Sequence, residues 1–225
     1  MKKLALLLAL MLLLTACAQT PPAETTAPPE TSVPVETVPE TTEPVTITDF
    51  APYEALLSFE AEPNWLARSL GCLYESPTEI DLNYMFYLGV DHPGSWNEIS
   101  AESRQTLIDR GFLTEMDLQL MPASKLEAAL RETFGIGLSD VTIPESWCYI
   151  EAEDAYCSNH NDAFFPGVPT ITAVEDDGHF ITIRYTIEGY WLTATGEFLD
   201  TAPLVLSLVR NEDGTIHAVS NLLES

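Results

Sequence analysis

Residues 170–188 read TITAVEDDGHFITIRYTIE, and this stretch decides the fold. Within it the apolar Ile181, Ile183, Tyr185 and Ile187 alternate with Thr182, Arg184 and Thr186. Successive side chains of a strand point to opposite faces, so a period of two gives one apolar and one polar face. That is the pattern of a half-buried antiparallel strand. Asp176-Asp177-Gly178 interrupts it with residues suited to a tight turn, so Thr170–Glu175 and His179–Glu188 should form a hairpin. The same reading extends outward. Leu204–Arg210 and Thr215–Leu222 flank Asn211-Glu212-Asp213-Gly214, and Trp147–Glu151 and Ala155–Asn159 flank a turn centred on Ala152-Glu153. These segments make an antiparallel sheet of about six strands.

Upstream of Trp147 the spacing becomes helical. Pro122 opens a run in which Leu126, Ala129, Leu130, Thr133 and Phe134 share one face, and Gly135 stops it. Ser100 caps a shorter helix carrying Leu107 and Ile108 and closed by Gly111. Ser76-Pro77-Thr78-Glu79 combines an N-cap, a first-turn Pro and a Glu three residues on, which predicts a helix through Ile80, Met85 and Phe86 to Leu88, with Gly89 as its stop. Earlier helices are expected around Tyr53–Phe59 or Trp65–Leu73. The fold class is therefore α+β: an N-terminal helical half followed by the antiparallel sheet. Trp65 and the Tyr84, Phe86 and Tyr87 group are core residues in this reading, with a carbohydrate or ligand platform as the alternative.

Composition narrows the function. The 225 residues carry 9 Lys and Arg against 35 Asp and Glu, a net charge of -26. Binding nucleic acid requires a basic surface that displaces counterions from phosphate, so that class is excluded. A polytopic membrane protein would need several apolar runs of about 20 residues, which the sequence lacks.

The N-terminus has its own logic. Met1-Lys2-Lys3 is followed by the apolar run Leu4–Leu14. A helix of that length spans roughly 16 Å, too short for a ~30 Å bilayer core, so it reads as the apolar region of an export signal. Leu14-Thr15-Ala16-Cys17 directly after it resembles the lipobox of bacterial lipoproteins. The resemblance covers residues 1–17. It implies a signal peptide of residues 1–16, a diacylglyceryl thioether on Cys17, and an extracytoplasmic, lipid-anchored location. Two acyl chains suffice for stable anchoring where one gives only marginal binding. Residues 18–48 then hold seven Pro, nine Thr and five Glu and no Gly, Lys, Arg or aromatic residue. Such a stretch buries too little apolar surface to offset its ordering and reads as a disordered tether from Cys17 to Thr48. Residues 49–225 form the acidic globular domain, with 30 acidic against 7 basic residues.

Few residues point to chemistry. The histidines His92, His160, His179 and His217 include no pair at i, i+4, and the sequence has no Gly-x-Ser-x-Gly elbow and no phosphate-cradling glycine loop. The candidate metal ligands are Asn159 and Asp162 in Ser158-Asn159-His160-Asn161-Asp162, with Glu151, Glu153 and Asp154 nearby. They lack the alternating pattern of a calcium loop, so no metal and no cofactor is expected. Cys17 being taken by lipid, Cys72, Cys148 and Cys157 remain. A turn at Ala152-Glu153 places Ile150 opposite Ala155 and Cys148 opposite Cys157, a candidate cross-strand disulfide in an exported domain.

The function carried forward is a lipid-anchored, noncatalytic binding domain for an unknown protein or a cationic ligand. Two alternatives stand beside it. One is a small-molecule binder resembling the nuclear-transport-factor-2-like plan of helices over a curved sheet, a likeness of element order alone. The other is a carboxylate-based glycan-acting enzyme, which would need two acids about 5–9 Å apart in a cleft.

Overall fold

The computed structural model describes residues 45–59, 64–86, 96–160, 167–192 and 195–224. In chain order these form β1 (Val45–Ile47), α1 (Ala51–Leu56), α2 (Trp65–Ser69), α3 (Leu82–Met85), α4 (Ala101–Asp109), β2 (Asp117–Pro122), α5 (Ala123–Phe134), β3 (Cys148–Ile150), β4 (Ala155–His160), β5 (Thr170–Asp176), β6 (Phe180–Leu192), β7 (Glu197–Arg210) and β8 (Ile216–Leu223), with short 3-10 turns between. The class is α+β, with mixed helices and antiparallel sheets. The strands do not share one sheet of about six. They divide into a five-stranded sheet, β1-β5-β6-β7-β8, and a three-stranded sheet, β2-β4-β3.

The large sheet follows the alternation that predicts it. Ile181, Ile183, Tyr185 and Ile187 are buried beside Ala202, Leu204, Leu206 and Leu208 of β7. The period breaks at Gly189, whose φ of +68° turns the strand so that Tyr190 returns to the interior. Asp177 fixes the β5–β6 turn by accepting the N–H groups of His179 (2.8 Å) and Phe180 (2.6 Å). Strand β1 lies along β5 with Val45 opposite Asp176, within the stretch that composition assigns to the tether.

Two helical expectations change. The helix expected from Ser76 to Leu88 is broken into a 3-10 turn at Pro77–Glu79 and α3, because Ile80 is extended and Asp81 caps anew, accepting the Tyr84 N–H at 3.3 Å. Its expected end at Leu88 and Gly89 lies outside the described residues, as does Tyr87. In α4 the Ser100 cap and Leu107 are as expected, but Ile108 is exposed. Helix α5 buries Leu126, Ala129, Leu130, Thr133 and Phe134, and ends at Gly135 with φ +71°. A Cβ on Gly135 would also meet the His217 ring at 2.6 Å, so both backbone and space require glycine there. Asn64 joins α1 to α2: its carboxamide donates to the Leu56 and Ser58 carbonyls (2.9 and 2.8 Å) and accepts the Ala67 N–H (3.1 Å).

One buried side chain ties the helical segments to the sheet. Asn221 of β8 is fully buried. Its Nδ2 donates to the carbonyls of Cys72 (2.7 Å) and Leu70 (3.3 Å), and its Oδ1 accepts the Tyr185 hydroxyl at 2.6 Å. Its backbone exchanges hydrogen bonds with Tyr74 in both directions, at 3.0 and 2.9 Å. Among the described residues, 70–74 pair with the sheet through this one bridge, and Asn221 supplies hydrogen bonds to the Leu70 and Cys72 carbonyls. Removing a partner from such a network leaves each remaining group desolvated and unpaired. Asn221→Ala should therefore lower unfolding stability by about 3 kcal/mol in chemical denaturation, the large end of single-residue effects. A loss under about 1 kcal/mol would show that the network is dispensable.

Candidate functional site

The small sheet is apolar on both faces, and this creates the site. On one face Leu118, Cys148, Ile150 and Cys157 pack with Ile99 and Leu107 of the α4 region into a second core. On the other, Met121 joins the main core and Tyr156 packs against it. Tyr156 also continues a row of rings, Trp65–Phe86–Trp147–Tyr156–Tyr149, with centroid separations of 5.1, 6.4, 6.1 and 5.1 Å. The row ends at the surface in Tyr149, whose hydroxyl donates to Asp154 at 2.7 Å. The Trp147 indole N–H donates to Asn83 at 2.8 Å and holds the start of β3 against α3.

Where β3 begins, a polar cleft of about 650 Å³ opens between the turn after α4 and the β3–β4 hairpin. Arg110, Glu145, Trp147, Cys148 and Asn159 are among its walls. An arginine, a glutamate and a cysteine thus border one concavity. Cys148 lies directly opposite Cys157, Ile150 opposite Ala155 and Tyr149 opposite Tyr156, the register implied by a turn at Ala152-Glu153. Both sulfurs are thiols in this structure and both residues are buried. Burial, with the neighbouring Cys148 and Glu153, pushes the Cys157 thiol up to about 12. Cys72 is enclosed in the main core, where burial raises its thiol far above the ordinary range.

The remaining sequence candidates hold the fold together. Asn159 brackets Leu113, accepting its N–H at 2.8 Å and donating to its carbonyl at 3.2 Å, which engages the amide on the backbone. Asp162 and His92 lie outside the described residues, as does Cys17. Glu153 reaches across to cap α4, accepting the Ser100 N–H (3.1 Å) and the Ser103 hydroxyl (2.8 Å), and these bonds lower its pKa. His179 Nδ1 lies 2.9 Å from the Arg210 carbonyl, and His217 Nδ1 lies 3.1 Å from Asn211 Nδ2. Among the described residues no group of three or more His, Cys, Asp or Glu is arranged to hold a metal ion.

The strongest charged constellation is Asp176 with Arg210 and Tyr53. Arg210 donates to both carboxylate oxygens (3.1 and 2.8 Å), Tyr53 donates its hydroxyl at 2.9 Å, and the Gly178 N–H adds a fourth bond at 2.7 Å. These donors, the Arg210 guanidinium first, hold the carboxyl at about 2. A carboxylate so stabilised is a poor proton acceptor near neutrality, and the cluster acts as a clip fastening α1 to the β5–β6 turn.

The cleft could not be located from sequence, because Arg110 and Asn159 lie far apart in the chain and are brought together by the β2–β4 pairing and the Asn159 bracket on Leu113. The nearest signal was Trp147-Cys148 at the start of a strand. No family model matches the chain, and the comparisons with curated proteins and with solved structures found no match.

The Asp176 clip makes a pH-dependent contribution. Its folded pKa of about 2 lies below the ordinary 3.8, so the stabilisation is fully present above about pH 4 and is lost as the pH falls toward 2. Asp176→Asn should cost about 1–2 kcal/mol at pH 6, a range reduced for the partly exposed Arg210, and the difference from wild type should shrink toward pH 2. Equal differences at pH 6 and pH 2.5 in urea titrations would contradict this assignment.

Proposed function

We propose that this chain is an extracytoplasmic bacterial lipoprotein, anchored to the membrane through Cys17, whose acidic α+β domain binds a partner rather than transforming a substrate. The observation that carries the anchor is Leu14-Thr15-Ala16-Cys17 immediately after an apolar run too short to span a bilayer. In this reading the stretch from Cys17 up to β1 is a spacer that holds the domain away from the membrane, and the folded part starts at β1, slightly ahead of the boundary near Asp49 that composition suggests.

Charge supports the choice of partner. Arg131 pairs with Glu127, Arg184 with Glu175 and Glu224, and Arg210 with Asp176. Three of the domain's seven basic residues are thus neutralised within it, which adds to the acidic excess of its surface. Such a surface is repelled by anionic head-groups and attracts cationic protein surfaces or ligands. A second reading, the small-molecule binder with helices over a curved sheet, draws on the apolar groove of about 490 Å³ that Leu57, Phe59, Val168 and Ile171 line at the edge of the large sheet.

Metabolic labelling with an alkyne fatty acid tests the anchor. The wild-type chain should take up label and sediment with membranes. Cys17→Ser should do neither, accumulating as precursor or released protein. A Cys17→Ser protein that labels and fractionates like wild type would overturn the lipoprotein reading.

A further inference from the structure

We propose that Cys148 and Cys157 close into a disulfide across β3 and β4 by thiol–disulfide exchange, with Cys148 meeting the oxidant from the polar cleft and Cys157 resolving the mixed disulfide. Three features of the structure combine here. First, the two residues are direct partners in the antiparallel register. Directly opposed residues of such a pair have Cα separations of about 4.5–5.5 Å, inside the range that disulfides span. Second, both cysteines are buried in the second core, but Cys148 also lines the cleft and Cys157 does not. A reagent in the cleft therefore meets Cys148 before Cys157. Third, the hydrogen bond of the Cys148 thiol among the described residues is a weak 3.7 Å contact to the Tyr149 carbonyl, which it can give up on turning toward its partner.

The chemistry balances with a disulfide oxidant, such as oxidised glutathione or a disulfide-exchange protein. Cys148 loses its proton to solvent, and its thiolate attacks one sulfur of the oxidant. A mixed disulfide forms and the oxidant's other sulfur leaves as a thiolate. Cys157 is kept protonated by its burial and is therefore a slow first attacker. Once the mixed disulfide lies beside it, Cys157 gives up its proton, bonds to the Cys148 sulfur, and releases the oxidant's remaining half as a second thiolate. The protein loses two electrons and two protons, and the oxidant is reduced to two thiols. The new bond ties Trp147 and Cys148, two walls of the cleft, to the central strand of the small sheet. Formation of the bond in cells rests on the export proposed above; the pairing itself does not.

Trypsin provides a direct test on the full chain, because no Lys or Arg lies between Arg131 and Arg184 and a single peptide, 132–184, holds both cysteines. After incubation with oxidised glutathione, unfolding and alkylation without reductant, that peptide should carry no alkyl group and weigh two hydrogens less than the reduced form. The treated protein should also melt on the order of 5 °C higher than its reduced form. Two alkyl groups on the peptide would overturn the pairing. Two variants test the order of attack: native Cys157→Ala should accumulate glutathione on Cys148, and native Cys148→Ala should leave Cys157 unmodified over the same period. Equal uptake by both would overturn the assigned order. Should either variant fail to fold, a brief iodoacetamide pulse on native wild-type protein reads the same order, with Cys148 labelled ahead of Cys157. A peptide that pairs in the purified protein but is fully reduced in acid-quenched cells would support the pairing and count against export.

Discussion

The buried carboxamide of Asn221 is the constraint on which the domain's assembly depends. A five-stranded sheet can bury one face against helices only if the segments connecting those helices find partners for their own backbone groups. Residues 70–74 run against the edge strand β8 without forming a strand of their own, and Asn221 supplies what a neighbouring strand would have supplied: two donors, one acceptor and a reciprocal backbone pair with Tyr74. The Tyr190 hydroxyl, 3.4 Å from the Leu70 carbonyl, adds to the same seam. Close packing finishes the joint. A Cβ on Gly71 would lie 2.0 Å from the Tyr84 ring, so that ring sits directly on the backbone beside the network. Polar satisfaction and steric fit thus select the same placement of α2 and α3 on the sheet.

The small sheet solves a different problem. With helices and loops on both sides, its central strand β4 must be apolar on alternate residues in both directions, and Cys157 and Tyr156 face the two cores in turn. In the middle, the buried polar residues Gln119 and Ser158 satisfy one another through a 2.9 Å hydrogen bond from the Ser158 hydroxyl. The cleft forms where the second core ends, between structures held by long-range contacts: the Trp96 indole N–H on the Met116 carbonyl at 2.8 Å, the Glu153 cap on α4 and the Asn159 bracket on Leu113. Its walls are therefore set by the fold and do not depend on a ligand for their position.

Much of the large sheet was legible because a strand with one wet face writes its period into the sequence. The turns at Asp177-Gly178 and Gly214, the hairpin register at Cys148 and Cys157, and the apolar face of α5 all carry local signals of this kind. Strand β2 carries none, since Leu118, Gln119 and Met121 are all buried and no alternation survives. The split of the 76–88 helix was hidden for a related reason: Asp81 acts as a second cap inside a run whose first cap, Ser76, already accounts for the pattern. Membership of two sheets rather than one is a long-range property, and so is the cleft. The cysteine pair was legible as a register, while the difference in access between its two sulfurs required the structure.

With Asn221 satisfied on every side, the seam between residues 70–74 and β8 should be as stable as the central strands. Native-state hydrogen exchange measures this directly. The amides of Tyr74 and Asn221 should exchange only through global unfolding, with the same free energy as Ile183 in β6 and Leu206 in β7. Exchange of Tyr74 at rates typical of an exposed loop, while β6 and β7 remain protected, would contradict the claim that Asn221 holds the helical segments to the sheet.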